Sequence, residues 1–354
     1  MAPLATVGIL SIGEMGMGVA KLLIAHGYRV VTNIEGRSED THQRALKSSI
    51  ECLPTDESLV SESDYIFSIV PPRDAFTIAT RITTALKNLS SKKSSDLYYL
   101  DLNAIAPSTA RSIYAHFQAE APEVKFIDGG IIGGAPALKS SSAASTTVSI
   151  PSSSTSSSWT LPSIPLSGPH PLSDTHLATL LNTNYLGKAV GQASGLKCCF
   201  ASMTKGFTAL CIQAFTTAEK MGVRGELEKV MGERVPGLWG MAGKGVSGMA
   251  PKAYRWVGEM REIGGCFGEE GGWEGRGEEG EDGGEEQEME KGKGVQGIFA
   301  EVAEVYRIVA DETVLGEEQT EKRKRGLTIE DVAICVGEGL DGMKEKKTKR
   351  AKTE

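Results

Sequence analysis

VGILSIGEMGMG, residues 7–18, joins a short apolar run to a stretch in which Gly13, Gly16 and Gly18 are separated by Glu and Met. Such a change of pattern marks a strand that turns sharply into a helix. Glycines there let the backbone approach a pyrophosphate, and the helix start offers unpaired N–H groups and a favourable field. Gly13 is placed for close approach, with Glu14 and Met15 in the turn, and Gly16 for tight helix–strand packing. Ser11 stands where the usual first glycine belongs, and its Cβ enters the tight turn. That is tolerable if its dihedrals are ordinary.

Working outward, GMGVAKLLIAHG has helical spacing, with Val19, Leu22 and Leu23 on one face and Gly27 as terminator. YRVVTN reads as the next strand, THQRALKSSI as helix and DYIFSIV as a third strand. PPRDAFTIATRITTAL follows as helix, and LYYLDLN and VKFIDGG as two further strands. This alternation predicts an α/β Rossmann-type doubly wound parallel sheet, followed by an all-α C-terminal domain.

The second strand ends in TNIEGRSEDT. A site for NAD usually places an acidic side chain there, to accept the ribose hydroxyls. Asn33 occupies the position instead. Arg37 is suited to a 2'-phosphate, with Ser38 and Thr41 as hydrogen-bond donors, so NADP is expected over NAD. Glu35 competes with this reading, because it is also within range of a ribose.

Five segments, in order, resemble the β-hydroxyacid dehydrogenase superfamily, and more closely its 6-phosphogluconate-dehydrogenase-like members with a short C-terminal domain. GILSIGEMGMGVAKLL resembles the fingerprint. SIVPP, which contains Val70 and Pro71, resembles the loop beside the cofactor. YLDLNAIAPSTA resembles the segment whose asparagine, here Asn103, approaches the nicotinamide region. FIDGGIIGGAP resembles the substrate-binding strand and loop, with Gly133 and Gly134. GKAVGQASGLKCCFASMTKG resembles the start of the helix that carries the catalytic lysine, here Lys197.

The resemblance implies reversible hydride transfer between a nicotinamide cofactor and a small hydroxy acid or its oxo form, in a homodimer. Lys197 would be the general acid/base. The chain also departs from the family. Ala201 stands where an asparagine is usual, Ile132 where a serine is common before the paired glycines, and Ala193 in place of a glycine. Gly258-Glu259 replaces a later lysine–aspartate pair. Lys205, two turns beyond Lys197, is a candidate to replace in part the lost cation at the substrate, and so are Tyr254 and Arg255. These departures keep two alternatives open: an NADP-binding protein with little or no catalysis, and a reductase of another carbonyl or an imine on the same scaffold.

The chain has 354 residues and a formal charge of −8, which suits two domains and disfavours a broad nucleic-acid surface. No run of eighteen apolar residues suggests a membrane span. No CxxC pair or His-rich cluster suggests a metal. Adjacent Cys198 and Cys199 on a predicted helix, with no signal peptide before the first strand, point to reduced thiols and a cytoplasmic location. The expected organisation is a cofactor domain over 1–172, a helical domain over 177–338 and a basic tail over 339–354. Two biased stretches read as surface insertions. Residues 140–158 hold eleven serines, and residues 269–290 hold eleven acids and one arginine.

Overall fold

The structure is a computed structural model that describes residues 2–91, 95–139, 158–273, 297–319 and 322–351. Most of both biased stretches lies outside the described residues. Contacts divide the chain into two compact units, Met1–Lys197 and Cys198–Glu354.

In the first unit, β1 (Thr6–Leu10), α1 (Glu14–Ala25), β2 (Arg29–Thr32) and α2 (Glu39–Lys47) follow the expected alternation. Next come β3 (Glu51–Cys52), α3 (Asp56–Glu62), β4 (Tyr65–Ser68), α4 (Ala75–Lys87), β5 (Tyr98–Asp101), α5 (Pro107–Glu120) and β6 (Lys125–Gly129). A small antiparallel pair, β7 (Ala137–Leu138) and β8 (Trp159–Thr160), stands apart from the main sheet. The unit is completed by β9 (Ile164–Ser167), α6 (Thr175–Leu180), β10 (Thr183–Gly187) and the start of α7 (Gln192–Lys220).

The main sheet runs β10-β9-β6-β5-β4-β1-β2-β3. Its order reverses beside β1, which is where open α/β sheets place their ligands. Alternation along each strand covers both faces. Val7, Ile9, Val30, Phe67, Leu100 and Ile127 join one core cluster, and Leu10, Val31, Ile66, Tyr99 and Phe126 join the other. That two-sided burial requires helices on both faces.

The sheet differs from the expectation in three places. β9 pairs antiparallel with β6 and β10 pairs parallel with β9, so the sheet is mixed rather than wholly parallel. The short β3 and α3 intervene before β4, because Ser49, at a φ of 55°, turns the chain out of α2. Finally, the segment from Leu177 was expected to be helical, yet Thr183–Gly187 is a strand that fills the open edge of β9. The sheet therefore extends past 172–177, where the domain boundary was expected.

The second unit consists of the rest of α7 with α8 (Arg224–Arg234), α9 (Pro236–Met249), α10 (Ala253–Glu269), α11 (Ile298–Glu312) and α12 (Ile329–Ala351). On α11 the buried residues Phe299, Val302, Val305, Tyr306 and Val309 recur at helical spacing. Trp256 meets Tyr306 edge-on at 5.1 Å, and Phe267 meets Phe299 at 4.8 Å, which binds α10 to α11. Helix α12 takes in most of the sequence read as a basic tail. Among the described residues, no helix is long and apolar enough to cross a membrane.

Candidate dinucleotide and lysine site

The turn after β1 is tight because of two atoms. A Cβ on Gly16 would lie 2.2 Å from the Ser11 carbonyl oxygen, so no side chain fits there. Ser11 itself has a φ of 77°. Its dihedrals are thus not ordinary: the serine takes a left-handed conformation that glycine adopts without steric penalty. Gly13 is the N-cap of α1, and no side chain caps this helix. A Cβ there would meet only the Ser11 Oγ, at 4.0 Å. The first turn of α1 therefore has no side-chain cap and is open beside Gly13, as an anion site requires.

At the end of β2, Asn33 is buried and already engaged. Its Nδ2 donates to Asp56 Oδ1 at 2.7 Å, and its Oδ1 accepts the Glu35 N–H at 3.0 Å. Arg81 in turn grips Asp56, with Nη2 donating to Oδ1 at 2.6 Å. These bonds fix the turn that carries Gly36, Arg37 and Ser38. Arg37 is exposed, and its N–H closes the turn onto the Ile34 carbonyl. The Ser38 Oγ lies 3.1 Å from the Thr41 Oγ1.

Asn103 is buried between two loops. Its Oδ1 accepts the Val70 N–H at 2.7 Å, its Nδ2 donates to the Ser68 Oγ at 2.9 Å, and its own N–H donates to Asp101 Oδ1 at 3.1 Å. It thereby holds the half-buried Val70–Pro71 segment in place.

Lys197 lies in the second turn of α7 and is half-buried. Its Nζ donates to the Ile131 carbonyl. A Cβ on Gly130 would stand 2.9 Å from the Lys197 Cβ, so Gly130 is what admits the lysine against this loop. Gly133, at a φ of 125°, and Gly134 are exposed farther along the same loop. Ile132 exchanges two backbone hydrogen bonds with Ser163, at 2.8 and 2.9 Å. The first unit thus unites Lys197 with the Gly130–Gly134 loop.

Lys205 belongs to the second unit. Its ammonium pairs with Glu259, a contact in which both side chains are nearly buried, and sits 4.9 Å from the Trp256 ring centroid. The charge expected to serve a substrate is therefore matched by a carboxylate of its own unit.

Residues 6–157 match the NAD binding domain of 6-phosphogluconate dehydrogenase, and residues 218–309 match a domain of unknown function, DUF1932. An uncharacterized 28.5 kDa protein of Methanothermus fervidus is 25% identical over 229 residues, covering 63% of this chain and 77% of that protein. A conserved hypothetical protein from Sinorhizobium meliloti 1021 superposes with a TM-score of 0.54 at 18% identity, over 96% of this chain and 97% of the other. A 3-hydroxyisobutyrate dehydrogenase from Salmonella typhimurium superposes with a TM-score of 0.52 at 14% identity, over 74% and 87%. The chain has the fold of the β-hydroxyacid dehydrogenase superfamily.

Within the first unit, sequence reasoning missed the anchor of the lysine helix. Asp128, on β6, is fully buried. Its Oδ2 accepts from the Ser167 Oγ at 2.7 Å, the Gly191 N–H at 2.8 Å and the Ser194 N–H at 3.3 Å, while its Oδ1 accepts from the Ser194 Oγ at 2.5 Å. Burial pushes its carboxyl above the usual range, and the four hydrogen bonds oppose that shift. Strand register places Ser68, Asp101, Asp128 and Ser167 in one row across β4, β5, β6 and β9. The signal was present in FIDGG, where an acid interrupts an apolar strand, but only the pairing of strands supplies its partners.

Proposed function

We propose that the protein is an NADP-dependent oxidoreductase that moves a hydride between the cofactor and a small hydroxy acid or its oxo form. One observation carries this reading: the Lys197 ammonium is held at the loop after β6, within a unit of the superfamily's dinucleotide-binding fold.

The residues present fit a nicotinamide dinucleotide. The uncapped first turn of α1, at Gly13, Glu14, Met15 and Gly16, would take the pyrophosphate. Arg37 and Ser38, on the turn after β2, would take a 2'-phosphate, and Val70 and Pro71 would flank the cofactor on the loop that Asn103 braces. When bound, the nicotinamide supplies the hydride donor or acceptor.

Lys197 removes the hydroxyl proton as the carbon is oxidised and returns it during reduction. The exposed amides of Gly133 and Gly134 suit a substrate carboxylate. Lys205, bound to Glu259, plays a structural part in this reading. The protein would act as a cytoplasmic homodimer. None of the six cysteines is in a disulfide, and exposed Met203 and Leu210 on α7 suit burial against a second copy.

Ala201 favours a second reading. It is buried and has no hydrogen-bonding group for a substrate. The protein would then bind NADP with little catalysis, or reduce another carbonyl or an imine. NADPH titration by fluorescence, followed by turnover assays on 2- and 3-hydroxy acids and their oxo forms, separates the two. Turnover abolished in Lys197→Ala supports the first reading, and tight NADPH binding without turnover supports the second.

A further inference from the structure

The start of α7 has an unusual support. A 29-residue helix leaves several N–H groups unpaired at its first turn. Here the acceptors come from strands rather than from the preceding residue. Asp128 on β6 takes the amides of Gly191 and Ser194, and the Ser167 Oγ on β9 takes the Ala193 N–H at 3.0 Å. Ser167 also donates to Asp128, so the two form one acceptor assembly. The first turn is therefore stitched to two adjacent strands by a carboxylate, at the helix end that favours negative charge.

Ser194 connects this assembly to the lysine. Its hydroxyl and its amide both reach Asp128, and it lies three residues before Lys197, on the same side of the helix. Asp128 is also on the strand that leads directly into Gly130, whose missing side chain leaves room for Lys197, and Ile131, whose carbonyl accepts from the Lys197 Nζ. One carboxylate thus fixes the helix that carries the lysine against the loop that receives it. The lysine's long side chain is positioned only as well as those two backbones are.

We propose that Asp128 is the positioning residue of Lys197, acting through Ser194 and the first turn of α7. This rests on the reading of Lys197 as the acid/base group. Asp128 itself touches no reacting atom. Its carboxylate holds α7 in register with Ile131 and so sets where the ammonium can deliver a proton.

The test uses the full-length protein with Asp128→Asn and the milder Ser194→Ala. The first readout needs no substrate. Hydrogen exchange over 188–200 and acylation of Lys197 by an amine-reactive ester, both read by mass spectrometry, are expected to rise at least tenfold in Asp128→Asn and by less in Ser194→Ala. Unchanged exchange and acylation in soluble, folded variants overturn the proposal.

The second readout is kinetic. Asp128→Asn is expected to lower kcat at least tenfold with KM and NADPH affinity nearly unchanged, and to add no further loss to Lys197→Ala. Additive losses, or cofactor affinity falling in step with kcat, overturn it. If Lys197→Ala keeps full turnover, the acid/base reading fails instead. If Asp128→Asn does not fold, Ser194→Ala decides both readouts.

Discussion

The Asn103 Oδ1 accepts the Val70 N–H at 2.7 Å, and this bond ties the loop after β4 to the loop after β5. Nδ2 of the same amide donates to Ser68, so one side chain braces both the end of β4 and the loop that follows it. Asn103→Ala leaves the amide of half-buried Val70 without its acceptor and the buried Ser68 hydroxyl without its donor. It is expected to destabilise the protein by about 1–3 kcal/mol per unpaired group and to weaken NADPH binding. Thermal unfolding and fluorescence titration check both effects. Asn103→Asp keeps an acceptor for Val70 but loses the donor to Ser68, so its NADPH affinity should fall less.

Ser11 carries a left-handed φ of 77° in the turn where the fingerprint usually has glycine. The left-handed conformation costs a side chain about 1–2 kcal/mol, and glycine's extra unfolded-state freedom offsets about half of that. Ser11→Gly should therefore leave the melting temperature unchanged or slightly higher, without loss of NADPH binding. Gly16→Ala should act in the opposite direction, because its methyl would lie 2.2 Å from the Ser11 carbonyl oxygen. Loss of both stability and cofactor binding is expected, read by the same two measurements.

The first unit was legible because its strands are short apolar runs separated by helical periods. The glycines of residues 13–18 also mark the turn without any knowledge of contacts. The late strands were less legible. Thr183–Gly187 is a partly exposed edge strand whose pairing with β9 depends on a sheet edge remote in sequence. Asp128 shows the same limit at the site. Its partners come from positions 167, 191 and 194, so neither local propensity nor spacing indicates what an acid inside an apolar strand is for. In the sequence Lys205 is a candidate substrate cation, because Glu259, 54 residues later, becomes its partner only once the helices pack.

Lys205 and Glu259 form an ion pair in which both side chains are nearly buried. Lys205→Ala leaves Glu259 without its countercharge, which should cost about 3–5 kcal/mol. Lys205→Met with Glu259→Leu removes both charges and should cost far less. Denaturant unfolding of the two variants measures the difference. If the pair is structural, the double variant also keeps its substrate KM, whereas a substrate-binding Lys205 would raise it.

Arg37 is exposed at the end of the turn after β2, and Asn33 beside it has both ends of its amide committed to Asp56 and Glu35. A 2'-phosphate there gains a charge-assisted partner, while a free ribose finds no acid at position 33. Arg37→Ala should raise the NADPH dissociation constant about tenfold and leave that of NADH within about twofold. Equal weakening of both cofactors would remove the phosphate role from Arg37 and direct attention to Glu35. Titrations at two salt concentrations add a check, because the NADPH-specific part should shrink as salt rises.

Asp128 also predicts a pH dependence of stability. Burial raises its folded-state carboxyl pKa above the ordinary 3.8 despite its four hydrogen bonds. Between the ordinary and the raised value, the folded protein binds more proton than the unfolded chain. Stability must then fall as pH rises through that window, and level off above the raised pKa. The contribution of this one group is thus opposite in sign to that of a salt-bridged carboxylate. Other groups add their own slopes, so the measurement is a difference. Urea unfolding of wild type and Asp128→Asn is compared across the acid range from just below the ordinary pKa upward. The asparagine variant, which cannot titrate at this position, should be less stable than wild type throughout. The gap should be widest at the acid end, where wild type holds the extra proton, and should narrow as pH rises to neutrality. A gap that widens with pH would mean that the hydrogen bonds from Ser167, Gly191 and Ser194 outweigh burial and hold Asp128 ionised well into acid.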